Sequence, residues 1–312
     1  MRIALVGEAL IDFTSTGPLA FQGHAGGSPL NTAVACARLG APTGYLTQLS
    51  QDLFGEALLR HLQENGVDTG LVLRSEAHTT LAFVEHAPGT NRYVFLREGT
   101  SDVGWSPRPL PKLPLETAFL HFGSISLLAE PAATAITELV LASAGKRIVV
   151  FDPNVRTSLI PDLAAYRARF ARWVAATDLL KVSDEDVEAL APGVPPGQAA
   201  EGWLKAGPAA VVVTYGASGA ILHRAGKKPV SVSAPPVAVV DTIGAGDTFT
   251  AGLSVSLLRR GVERAEQLSA LAEEGWHEVL RFAAAAAALN CTRAGANPPR
   301  LNEVLAFLGW AR

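Results

Sequence analysis

The sequence predicts an α/β fold: a doubly wound, mostly parallel sheet with helices on both faces, and a small β-sheet lid beside it. Three observations carry this reading. Apolar runs recur along the chain, IALVG at 3–7, AFLHFG at 118–123, RIVVFD at 147–152, LLKVS at 179–183 and AVVVTYG at 210–216. Runs of this kind are buried on both faces of a parallel sheet. Helical patterns separate them, notably 130–144 and 162–176, and such alternation implies βαβ units. Between 67 and 103 the texture instead becomes short alternating runs, TTLAFVEH and NRYVFLRE, whose single polar face does not suit the core of the main sheet.

Taken in order, the run at 3–7 is the first buried strand. The glycine pair at 26–27 opens a helix that closes at Gly40, and a second helix at 54–66 also stops at a glycine. The two alternating runs flank PGTN at 88–91, which predicts a β-hairpin. After 118 the strand–helix alternation resumes. PGVPPGQ at 192–198 reads as a rigid surface loop, and AILHRAGKKPVSVS at 220–233 as a second hairpin turning at Gly226. From 247 to 310 the pattern is almost wholly helical. Without an internal repeat or low-complexity linker, residues 1–312 read as one α/β domain, with a lid drawn from about 12–28 and 78–103.

Composition removes several classes of function. With 26 Lys and Arg against 29 Asp and Glu in 312 residues, the net charge is −3. That gives no basic field for nucleic acid or an anionic membrane. Two cysteines, Cys36 and Cys291, argue against a disulfide scaffold or a thiolate metal site. MRIALVGEALID meets Glu8 and Asp12 too early for a signal peptide, and the alanine run at 283–288 is too short to span a bilayer. A cytoplasmic protein is therefore expected. No G-x-x-x-x-G-K-[ST], HExxH or CxxC occurs, and no strand–GxGxxG–helix unit opens the chain. The seven histidines show no ligand spacing; His121, within an apolar strand, reads as a core position. Trp203, Trp276 and Trp310 suit helix-face packing.

The motif richest in chemistry is VVDTIGAGDTFTAGL at 239–253. Small residues Gly244, Ala245 and Gly246 let backbone N–H groups converge where a helix begins, and the helix N-terminus adds partial positive charge. Such a nest suits the charge on a phosphoryl group in transit. Asp247 beside it is suited to accept the proton of an attacking hydroxyl, although a glycine turn with an Asp N-cap has the same residues. Asp12, Asn154, Arg156, Ser183 and Thr214 fall near predicted strand ends, where open α/β sheets bind ligands.

DTIGAGDTFTAG closely resembles the C-terminal signature of the PfkB (ribokinase-like) carbohydrate kinases, and GGSPLNTAVACARLG at 26–40 the N-terminal one. The two lie more than 200 residues apart in the family's order, and the resemblance runs from GEALIDF at 7–13 to CTRAGANPP at 291–299. HFGSISLL (121–128), FDPNVR (151–156) and KVSDEDVEAL (181–190) are most similar to the fructokinase branch. The resemblance implies an ATP- and Mg-dependent sugar kinase acting on a hydroxymethyl group, with Asp247 as base and Gly244, Ala245 and Gly246 as anion hole. It implies that Asp12, Gly27 and Asn31 hold sugar hydroxyls, and that Arg97 and Arg156 approach substrate or phosphate. Asn154, Ser183, Thr214, Gly216, Ala217, Gly219 and Asn290 match nucleotide positions, Asn290 in the adenine pocket. Ser183 and Asp186 replace the Asn-x-x-Glu of many relatives, and the shorter Asp186 would reach Mg through water. The backbone around Asp241, Ile243, Arg293 and Gly295 resembles a monovalent-cation site, which implies potassium. It further implies a homodimer formed through the lid. The open alternatives are kinases of 2-keto-3-deoxygluconate, ribose, nucleosides or ribosides, and, more remotely, a non-catalytic sugar-binding regulator. Phe95, where some sugar-acid kinases have Tyr, leans away from a keto acid.

Overall fold

The computed structural model describes residues 1–87 and 90–310. The chain opens with strand β1 (Ile3–Val6) and the pair β2 (Leu10–Gly17) and β3 (Ala20–Gly26), then helix α1 (Ser28–Arg38). Strands β4 (Thr43–Leu46) and β5 (Gln48–Ser50), helix α2 (Leu53–Glu64) and strand β6 (Leu73–Ser75) follow. Next come β7 (Thr80–Ala87) and β8 (Thr90–Leu96). The alternating half continues with β9 (Phe119–Gly123), α3 (Ala132–Ser143), β10 (Ile148–Asp152), α4 (Leu163–Val174), β11 (Leu179–Ser183), α5 (Asp184–Leu190), α6 (Pro196–Leu204) and β12 (Ala210–Thr214). Strands β13 (Ala220–His223) and β14 (Val230–Val232) precede the helices α7 (Ala245–Arg259), α8 (Ala265–Ala270), α9 (Glu273–Cys291) and α10 (Leu301–Leu308).

Eight strands form the main sheet in the order β14-β13-β12-β11-β10-β9-β1-β4. It is parallel from β4 through β12, and β13 and β14 add an antiparallel edge. Because side chains alternate along a strand, each apolar run feeds two cores. Ile3 and Leu5 join Ile148, Val150 and Leu179 beneath α1, α7 and α9, while Ala4, Val6, Val149, Phe151 and Leu180 face α3, α4 and α6. α7 and α9 approach very closely: a Cβ on Gly252 would lie 2.6 Å from the Cα of Ala283. The alanine run is thus the flat surface on which α7 rests.

The alternating runs form a second sheet, ordered β3-β2-β7-β8, in which β2 and β7 are parallel and the outer pairs antiparallel. The strands of the predicted hairpin pair as expected; its PGTN turn falls partly on Pro88 and Gly89, outside the described residues. The second hairpin turns with Gly226 at φ 66°.

Two expectations change. The segment 192–198 is not all loop, because Pro195 and Pro196 start α6; a proline in the first helical turn loses no hydrogen bond there. Asp12, expected near a main-sheet strand end, stands instead within β2 of the second sheet.

Candidate active site

Two helix N-termini meet at one carboxylate. α1 starts after Gly27 at φ 106°, where a Cβ would press within 2.8 Å of the Glu8 carbonyl oxygen. α7 starts after Gly244 in the left-handed region, where a Cβ would lie 2.7 Å from that of Ala296. From the first turn of α1, Ser28 Oγ donates to Asp247 Oδ1 at 2.6 Å and Asn31 Nδ2 donates to Oδ2 at 2.9 Å. Asp247 is buried. Burial pushes its carboxyl above the ordinary range, against the bonds from Ser28 and Asn31; the charge of Asp152 raises it further and Lys181 lowers it. The amides of a helix's first turn lack intrahelical acceptors. Ala245 N turns back to the Thr242 carbonyl at 3.2 Å, so among the three predicted anion-hole residues Gly244 and Gly246 are the better-placed donors.

Asp12 projects from β2 into the space left by Gly26, where a Cβ would sit only 2.1 Å from Asp12 Oδ2. Burial, and then the charge of Asp247, push Asp12 up to about 6, while Arg156 draws it down. Asp12 thus feels both the Asp247 carboxylate, to which Asn31 donates, and the exposed Arg156 guanidinium.

Other predicted residues stand differently. Arg97 donates through Nη2 to the Ile125 carbonyl at 2.9 Å and lowers the carboxyl of Asp102. That bond braces the second sheet against the 3₁₀ turn Ser124–Leu127, while Arg97 Nε is buried with no hydrogen-bond partner. Asn154, at φ 39°, lies 3.5 Å from Ser124 Oγ. Ser183 and Asp186 form a capping box: Ser183 Oγ accepts from Asp186 N at 3.0 Å and Asp186 Oδ2 from Ser183 N at 2.8 Å. Asp186 Oδ1 accepts from Val155 N at 2.7 Å. With each oxygen accepting from a backbone donor, Asp186 orders the 153–156 loop. Thr214, the exposed Gly216 and Ala217 and the buried Gly219 form the turn after β12, closed by Tyr215 N donating to the Gly219 carbonyl at 2.8 Å.

Asn290 is also corrected. It is completely buried and donates to the Ile243 carbonyl at 2.8 Å, so it supports the loop before α7 from below and does not line an open adenine pocket. Asp241 clamps the same region, accepting from Ile243 N at 3.0 Å and Gly295 N at 2.8 Å. Arg293 is ion-paired with Glu303.

Sequence reasoning missed Ser28 and the buried pair of Lys181 with Asp152, 3.1 Å apart. A lysine inside LLKVS was the available signal, since lysine is almost never fully buried unpaired. Among the described residues no group of three or more His, Cys, Asp or Glu could hold a metal ion, and no helix is long and apolar enough to cross a membrane. A Mg ion here would be carried by nucleotide phosphates and water, as that ion commonly is.

The family model for the pfkB family carbohydrate kinases matches residues 2–303. A fructokinase of Rhizobium leguminosarum bv. trifolii is 37% identical over 276 residues, 87% of this chain and 84% of that protein. The structure of Xylella fastidiosa fructokinase with bound ATP superimposes with TM-score 0.89 at 29% identity, covering 99% of this chain and 98% of that one. A double-mutant fructokinase from Vibrio cholerae O395, in its fructose-, ADP- and potassium-bound form, gives 0.86 at 25% identity over 98% of each chain.

Proposed function

Because this chain belongs to the pfkB family of carbohydrate kinases, we propose that it phosphorylates a hydroxymethyl group of fructose with ATP. The observation that carries the reading is the buried Asp247 carboxylate, held by Ser28 and Asn31 at the N-terminus of α7, with Asp12 in the same polar neighbourhood. A carboxylate so fixed accepts a hydroxyl proton and keeps the oxygen in line for attack. Gly244 and Gly246 present amides where negative charge gathers, and the helix adds its dipole. Asp12, Asn31 and Gly27 bind sugar hydroxyls, since a carboxylate and an amide together accept and donate. Arg156, exposed and opposite Asp12, attracts the transferring phosphate. Thr214, Gly216, Ala217 and Gly219 form the nucleotide edge, with Asn154 and Ser183 nearby along the strand ends. Mg, carried in on the nucleotide, would supply positive charge to offset that of the phosphates.

The Asp241 clamp on Ile243 and Gly295 supports a monovalent-cation loop behind the anion hole, and we assign potassium to it. The second sheet serves as a lid over the sugar and as the contact of a homodimer, and the enzyme works in the cytoplasm.

The test is ADP release with ATP and Mg against fructose, ribose, 2-keto-3-deoxygluconate, adenosine and aminoimidazole riboside, with and without potassium. The highest kcat/KM is expected for fructose, with potassium raising it. Preference for another acceptor overturns the fructose assignment, and ATP binding without turnover across the panel supports the non-catalytic alternative.

A further inference from the structure

On the face of the main sheet that supports α7, a histidine, an aspartate and a lysine stand among the apolar side chains. His121 on β9, Asp152 on β10 and Lys181 on β11 share that face, since each lies an even number of residues from Phe119, Ile148 or Leu179 of the core beneath α7. All three are buried. Lys181 Nζ lies 3.1 Å from Asp152 Oδ2, and Thr250 Oγ1, one turn into α7, donates to that same oxygen at 2.8 Å. Asp152 Oδ1 is buried with no partner.

The ammonium sits against the start of α7. A Cβ added to Gly246 would lie 3.2 Å from Nζ, so only the glycine's hydrogens separate the cation from the anion-hole backbone. The charges of Asp152, Asp186 and Asp247 outweigh burial and raise the lysine above its ordinary value, so it stays charged. His121 is pushed down to about 3 by burial and by Lys181, and is neutral. Packing alone does not call for this arrangement. A buried ion pair is weak evidence for stability, apolar residues of similar size often serve as well, and the unpartnered Asp152 oxygen is a cost.

We propose that Lys181, held by Asp152 and Thr250, is a positioning residue for phosphoryl transfer, supplying fixed positive charge directly behind Gly246 and Asp247. The ammonium reinforces the anion hole through the backbone of Gly246 and keeps the buried Asp247 carboxylate ionised until it takes the hydroxyl proton, without touching either substrate. The inference rests on reading Asp247 as the base.

The test compares Lys181→Met, the charge-neutral pair Asp152→Asn with Lys181→Met, and Thr250→Val, each by kcat, KM for both substrates and thermal midpoint. Asp247→Asn runs in parallel. The neutral pair leaves no uncompensated buried charge. It is expected to keep both KM values within about threefold while kcat falls about 100-fold, the lower end of the loss seen when one preorganised oxyanion donor is removed. Thr250→Val, nearly isosteric, is expected to lower kcat about threefold at unchanged KM. A folded neutral pair with kcat within twofold of wild type overturns the proposal, as does a rise in KM at constant kcat. If that pair fails to fold, an unchanged kcat in Thr250→Val overturns it. Retained activity in Asp247→Asn would instead sink the base assignment, so the two failures are distinguishable.

Discussion

Asp247 is shaped by opposing influences at atomic range. Burial favours its neutral form, while the Ser28 hydroxyl and the Asn31 amide stabilise the carboxylate. The balance leaves the group above the ordinary carboxylate range, closer to the pH at which a general base is useful. Asp247→Asn keeps the size and an acceptor for Ser28 but cannot take a proton. It is expected to lose about 10²- to 10⁴-fold in kcat, with sugar binding still measurable by calorimetry. The same reasoning fixes a pH dependence. Asp12 lies at about 6 through burial and the nearby charge of Asp247, and Asp247 is shifted in the same direction. The proposed mechanism needs both ionised, so kcat/KM is expected to fall as pH drops through about 6. An acidic limb centred below 5 would show that neither shifted carboxylate governs the rate.

At the scale of elements, the second sheet has two chemically different faces. Residues paired across strands share a face, so Ile11, Leu81 and Leu96 fall together, as do Phe13, Phe83 and Val94. Asp12, His24 and Ala82 lie on the opposite face. On the apolar face Phe13 and Phe83 stack at 4.9 Å and Phe21 meets Phe83 edge-on. Val94 and Leu96 are nevertheless 56% and 53% exposed. That is an apolar surface with a use, and a dimer contact is the one proposed above. Val94→Asp, at a half-open position, is expected to fold and to shift sedimentation at micromolar concentration from dimer to monomer. A wild-type chain sedimenting as a monomer overturns the dimer. The period-two runs made these strands legible in the sequence, as continuous apolar runs did for β1, β9, β10, β11 and β12. The parallel pairing of β2 with β7, which decides where Asp12 points, was not legible, because strand pairing over that separation leaves no local mark. The site was legible where a motif needs small residues, at Gly27 and Gly244. It was obscured where capping and binding use the same side chains, as with Ser183 and Asp186, and where a long-range bond decides the role, as with Ser28 and Asn290.

For the whole molecule, Glu8 anchors to the main sheet the short segment between β1 and β2 by which the chain passes to the second sheet. Its carbonyl accepts from Tyr45 Oη at 2.5 Å, and its Oε2 accepts from Ser126 N at 3.0 Å. The side chain is buried, and desolvation, with a further push from the charge of Asp102, raises it to about 7 despite the bonds from Ser124 and Ser126. Between the unfolded value of 4.5 and about 7 the folded chain therefore holds a proton that the unfolded chain releases. This contribution to stability is full below 4.5, declines as pH rises through that window, and is gone above 7, a loss of about 3 kcal/mol. Glu8→Gln keeps an acceptor for Ser126 N and carries no charge to desolvate. In urea unfolding it is expected to be more stable than wild type at pH 8, with the advantage shrinking by more than half at pH 5.5. An advantage of equal size at both pH values would mean that the gain does not arise from ionisation, and a loss at pH 8 would mean that the carboxylate is held by partners strong enough to outweigh its burial. The joint between the sheets would then be secured by charge and not by a neutral acid.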